Sequence, residues 1–292
     1  MIVALLLAAA APAVTNADGY RLVWSDEFDG DRIDRSKWDF DVDCAGGGNE
    51  ERQCYTARPA NAAVGNGLLT ITARRERSSG RATMAGQSDE GPQPQATKEY
   101  TSARLVTRGK AAWRYGRIEV RARLPLGQGS WPAIWMLPEQ WRYGPWPLSG
   151  EIDIMEAVNL GEPCAACVGG RENHVLGTIH FGPRAPNNKY LSTDTQMPGA
   201  IDGFHTYRVD WTPEAIDWFV DGRPYAHRRI GEWSTPASAD AHAPFDQPFH
   251  LILNLAIGGH LPEGRNRKGV SKAGFPRTMQ VDWVRVWQRA QG

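Results

Sequence analysis

From Arg117 to Arg123 the chain alternates one for one, with Arg, Glu, Arg and Arg on one side and Ile118, Val120 and Ala122 on the other. Only a half-buried β-strand, whose side chains repeat every two residues, sorts such a pattern into a wet face and a dry one. The same grain recurs at Leu68 to Ala73, Thr101 to Val106, Phe204 to Val220 and Met279 to Trp287. Asn66-Gly67 and Asp221-Gly222 supply tight hairpin turns between such stretches. No long amphipathic helical period, internal repeat or linker interrupts them. The expectation is an all-β chain, a sandwich of two sheets in a single domain over 18–292. Arg74 to Thr97, rich in Arg, Ser, Gly, Gln and Pro, reads as a long surface loop.

The chemistry concentrates in Gly150-Glu151-Ile152-Asp153-Ile154-Met155-Glu156-Ala157. In a strand Glu151 and Asp153 share one face while Ile152 and Ile154 point into the core. A regular strand would bury Glu156. One extra residue, a β-bulge near Ile154-Met155, returns it to the face of the other two acids. Three adjacent carboxylates repel, which raises at least one pKa and suits a glycosidase that needs one acid ionised and one protonated. The competing reading is a solvent-facing strand that is merely acidic.

Other stretches offer partners for that face. In Gly129 to Pro138, Trp131, Ala133 and Trp135 fall on one side and Ile134 and Met136 on the other, so the two indoles either form a sugar platform or lie buried under a loop. His180 alternates with Ile179 and Phe181 and joins the acids if the two strands pair. Asn254 interrupts the apolar run Leu251 to Ile257 and needs a hydrogen-bond partner in the protein or a ligand.

Positive and negative residues balance at 33 each, which removes the basic excess expected of a nucleic-acid binder. Residues 1–17 read as an export signal: the apolar run from Ile2 to Ala11 is too short to span a bilayer, and small residues follow it. The mature protein is then expected in the periplasm or secreted, off the membrane, and monomeric. Cys44 with Cys54, and Cys164 with Cys167, fit two local disulfides of an oxidising compartment better than a zinc site.

The acidic motif, with Trp24-Ser25-Asp26-Glu27-Phe28, Tyr115-Gly116-Arg117-Ile118-Glu119, Trp131-Pro132-Ala133-Ile134-Trp135 and Ile216-Asp217-Trp218-Phe219-Val220-Asp221-Gly222, resembles glycoside hydrolase family 16, most of all its bacterial laminarinases. The resemblance covers nearly the whole mature chain. It implies a β-jelly roll of two antiparallel sheets with a concave cleft, and endo-acting, retaining hydrolysis of a β-1,3-glucan without a catalytic cofactor. It makes Glu151 the nucleophile, Glu156 the general acid/base and Asp153 a hydrogen-bond partner of the nucleophile. It assigns substrate contacts to Asn49, Glu51, Arg104, Trp131, Trp135, His180 and Asn254. Many members also carry a structural calcium, which would fall at the backbone oxygens of Glu27 and Gly67 and the side chain of Asp282. Arg52-Gln53-Cys54-Tyr55 departs from the family's usual Leu-Gln-Tyr-Tyr, and the Cys164 to Gly170 insertion could narrow the cleft. Mixed-linkage glucan, a galactan, or a non-catalytic glucan receptor are the alternatives.

Overall fold

The computed structural model describes residues 19–85 and 94–289; the expected export signal lies outside them. Two antiparallel sheets face each other. The first runs, in spatial order, Arg223–Arg229, Ala215–Val220, His205–Trp211, Gly116–Arg123, Arg277–Arg289, Leu68–Ala73 and Ala62–Gly65, with Tyr20–Asp26 also paired to Arg277–Arg289. The second runs Lys189–Gln196, His174–Phe181, Glu151–Glu156, Ser130–Pro138, Phe249–Ile257, Arg104–Val106 and Asp39–Asp41.

The alternation that opened the sequence reading builds the space between them. Ile118, Val120 and Ala122 are fully buried, and Ile118 lies opposite Val209 on one neighbour and Val286 on the other. Ile134, Met136, Ile152, Ile179, Leu253 and Leu255 meet them from the second sheet. Each large aliphatic side chain so buried contributes about 1.5–3 kcal/mol. Trp38, Trp211 and Trp218 are wholly buried as well, so much of the tryptophan is core. The Asp221-Gly222 turn has both residues at positive φ, 49° and 75°, as a two-residue hairpin needs.

The described parts of the expected loop, 74–85 and 94–97, hold more regular structure than expected. Within it Ser78–Arg81 pairs with Gln95–Lys98 as a separate two-stranded sheet. Little apolar alternation marks these strands because backbone contacts hold them. The Cys44 amide donates to the Arg81 carbonyl at 2.6 Å. Both expected disulfides are present, Cys44–Cys54 and Cys164–Cys167.

The residues expected to hold calcium do not fit a divalent cation as they stand. Asp282, the one side-chain donor of the set, is ion-paired with Arg121. Arg285 grips the Glu27 carboxylate through two hydrogen bonds of 3.0 and 2.7 Å. Gly67 sits in the turn joining Ala62–Gly65 to Leu68–Ala73. A calcium ion would have to displace one guanidinium and stand near another.

Candidate active site

The acidic strand carries its bulge where the spacing requires it. Asp153 lies opposite Trp135 and Met155 opposite Ile134, which leaves Ile154 as the unmatched residue. On the other side Asp153 faces Thr178 and Glu156 faces Leu176, again one residue too many. Ile152, Ile154 and Met155 are buried in the core, while Glu151 and Glu156 stay partly accessible on the opposite face. The bulge is held from beneath: the Trp218 indole Nε1–H, reaching across from the first sheet, donates to the Asp153 carbonyl at 2.8 Å.

Each glutamate has its own indole donor. Trp131 Nε1–H donates to Glu156 Oε1 at 2.9 Å, and Trp146 Nε1–H donates to Glu151 Oε2 at 2.7 Å. His180 lies directly across from Glu151 in the ladder; its Nε2 is 3.3 Å from Asp153 Oδ2 and 3.8 Å from Glu151 Oε1. The pairing therefore brings His180 to the acids, as its alternation suggested.

The charges in this cluster act on one another at short range. Burial pushes the Asp153 carboxyl well above its ordinary value, and Glu151 and Glu156 push it further. Glu156 is also raised, chiefly by burial and with help from Glu151, against the pull of His180 and the Trp131 hydrogen bond. Burial alone would lower His180. The three carboxyls outweigh it and hold the imidazole up to about 10, so it is a cation across neutral pH.

One pocket gathers most of the remaining expected residues. Asn49, Glu51, Arg104, Trp131, Trp135 and Asn254 line it together with the three acids. Arg104 lies with its guanidinium 4.5 Å from the Tyr55 ring centroid and 5.5 Å from that of Trp135. Its charge is kept despite burial because Tyr55, Glu51, Asp41 and Asp43 surround it. Asn254 finds the partners its buried place demanded: it accepts from Trp135 Nε1–H at 2.6 Å and donates to the Tyr55 hydroxyl at 3.1 Å. Glu51 accepts from Gln53 at 2.7 Å and from the Tyr55 hydroxyl at 3.3 Å.

Two expectations change in detail. Trp131 is only 9% exposed, packs with Val158 and Ala256, and is tied to Glu156 through its indole N–H, so the buried reading of this ring fits it better than a free platform. The hydrogen bond expected from Asp153 to Glu151 is supplied by Trp146 instead. Trp146 was missed in the sequence because Gly144-Pro145-Trp146-Pro147 has no strand period. Among the described residues two groups of side chains converge as metal ligands might. One is Cys164, Cys167 and Glu172, whose thiols are already joined; the other is Glu151, Asp153 and His180, where the imidazole is protonated between carboxyls.

A family model described as "Beta-porphyranase A-D, GH16 domain" matches residues 22–289. The chain belongs to glycoside hydrolase family 16. It is 47% identical over 279 residues to a beta-glucanase of Rhodothermus marinus, covering 93% of this chain and 86% of that protein. A glucan endo-1,3-beta-glucosidase A1 of Niallia circulans is 39% identical over 283 residues, which span 92% of this chain and 38% of that longer protein. The laminarinase structure from Rhodothermus marinus superposes with a TM-score of 0.76 at 45% identity, over 93% of this chain and 98% of that one. The laminarinase catalytic domain from Thermotoga maritima gives 0.74 at 34% identity, over 93% and 99%. The sandwich of this family 16 hydrolase is thus a β-jelly roll.

Proposed function

We propose that this family 16 chain is an endo-acting β-1,3-glucanase that retains anomeric configuration, exported to an oxidising compartment where its two disulfides persist. The observation that carries the reading is the bulged strand. It sets Glu151 and Glu156 on one face and gives them unlike surroundings, Trp146 and the His180 cation beside one, burial and Trp131 around the other.

Glu151 attacks the anomeric carbon as a carboxylate, its charge met by the Trp146 N–H and by His180. Glu156, whose proton burial helps to retain, passes it to the departing glycosidic oxygen. The resulting glycosyl ester on Glu151 is then opened by water, and Glu156, now ionised, takes the water's proton. Asp153, its pKa raised by burial and by the two glutamates, lies between them and shares the His180 imidazole with Glu151. Asn49, Glu51, Arg104, Trp135 and Asn254 hold the sugar bonded to Glu151, with Arg104 and Asn254 fixed by Tyr55 and Trp135.

A neutral glucan suits the pocket better than a sulfated galactan. Among the described lining residues Arg104 is the one cation, set against Glu51, Glu151, Asp153 and Glu156. The names of the glucanase relatives support the same substrate class. The test measures new reducing ends from laminarin, barley β-glucan, agarose and curdlan with wild type, Glu151→Gln and Glu156→Gln. Rapid release from laminarin, cut at least about 100-fold in either variant, is expected. Full activity in Glu151→Gln would sink the mechanism; release from agarose alone would sink the substrate.

A further inference from the structure

The pocket accounts for only one side of the acids. All its lining residues come from the acidic strand, from the three strands Ser130–Pro138, Phe249–Ile257 and Arg104–Val106, or from the glycine-rich loop around Gly47 and Asn49. None comes from His174–Phe181 or Lys189–Gln196, which continue the same sheet in the other direction. A polymer cut in mid-chain must cross both sides.

On that second side stand two exposed aromatic rings. Tyr190 is 63% exposed and Trp146 is 39% exposed, against a chain in which most large rings are buried. They flank His180, whose ring centroid is 5.9 Å from that of Trp146 and 5.8 Å from that of Tyr190. The ladder places Glu151, His180 and Tyr190 directly opposite one another on three neighbouring strands. At about 4.8 Å per strand, Tyr190 lies roughly 10 Å from the acidic strand, far enough for more than one pyranose ring. Beside Tyr190 a cavity is edged by Asn188, Lys189, Glu232 and Ser234, polar groups of the kind that meet sugar hydroxyls.

We propose that Tyr190 and Trp146, on either side of His180, form an aromatic subsite for the leaving-group portion of a β-linked glucan chain. The proposal rests on the reading above, in which Glu151 bonds the sugar held in the walled pocket. The two halves then have opposite duties. The walled half must keep the glycosyl ester while water arrives. The open half must release one sugar chain each turnover, which a solvent-facing stacking surface allows. The same surface can hold a second glucan hydroxyl against the ester. Its oxygen then forms the new bond to the anomeric carbon, the bond to Glu151 breaks, and Glu156 takes its proton. Tyr190 would therefore favour transglycosylation over hydrolysis.

The experiment compares wild type, Tyr190→Ala and Tyr190→Phe on laminarihexaose and on β-laminaribiosyl fluoride, which has no sugar on the leaving side. The quantity read is the ratio of kcat/KM on hexaose to kcat/KM on fluoride. Tyr190→Ala is expected to lower that ratio about tenfold and to reduce the yield of products longer than hexaose. Tyr190→Phe, which keeps the ring, is expected to restore the ratio to within about twofold of wild type. An unchanged ratio in Tyr190→Ala overturns the subsite, whether both rates fall together or neither moves. A greater loss on the fluoride than on hexaose places Tyr190 on the wrong side and overturns it too. A wild type that hydrolyses neither compound fails at the earlier step, the glucanase reading itself.

Discussion

Gly177 offers the sharpest test of how the bulge is held. It lies on the strand next to the acids, where Trp218 passes beneath. A Cβ at this position would sit 2.4 Å from Trp218 Cδ1, 2.7 Å from Cγ and 2.7 Å from the Tyr225 hydroxyl. The indole is fully buried, and moving it aside pulls its Nε1 from the Asp153 carbonyl, now 2.8 Å away. Gly177→Ala thus combines overpacking, about 1–3 kcal/mol, with a stranded buried carbonyl, about 1–3 kcal/mol. The sum, roughly 2–6 kcal/mol, corresponds to a fall in Tm of about 4–12 °C for a domain of this size. Calorimetry reads the fall, and initial rates on laminarin at 25 °C, where the variant is still folded, read the bulge; kcat is expected to drop at least about tenfold. A variant with wild-type rate and a midpoint within about 2 °C would show that Trp218 does not hold the bulge.

The charge cluster makes a directional prediction. His180 lowers the Glu156 pKa, so His180→Gln should raise it, keep Glu156 protonated to higher pH and move the alkaline limb of kcat/KM upward; a limb that moves down would refute the coupling. Losing Cys44–Cys54, whose cysteines are 10 residues apart, should cost about 3 kcal/mol, seen as a lower denaturation midpoint for Cys44→Ser/Cys54→Ser together with a raised KM.

The fold was legible where side chains decided it. The alternation at Ile118, Val120 and Ala122 is a statement about burial, and burial is what pairs the two sheets. The acids were legible for the same reason, since the extra residue between Asp153 and Glu156 only makes sense as a bulge. What escaped were contacts made by atoms without a periodic signature. Ser78–Arg81 and Gln95–Lys98 are joined through their backbones. Trp146 reaches Glu151 from a proline-rich turn whose path no local pattern encodes. Trp218 was read as part of a family motif, but its hydrogen bond to Asp153 spans the two sheets and 65 residues. Trp131 stayed open between platform and buried ring because strand parity gives a face and says nothing of how Val158 and Ala256 pack against it.

The loop carrying Asn49 and Glu51 is fastened along its whole length. The Cys44–Cys54 bridge closes its base, the Arg52 amide donates to the Ile257 carbonyl at 2.7 Å, and the His260 amide donates to the Asn49 carbonyl at 2.9 Å. Lys98 Nζ reaches the Glu51 carbonyl at 2.8 Å, and Arg52 is ion-paired with Glu263. The entropy of ordering this wall is therefore spent during folding and is not charged again to each sugar that binds. A wall tied down in this way is expected to melt with the domain, so loss of activity on warming should follow the unfolding curve instead of preceding it.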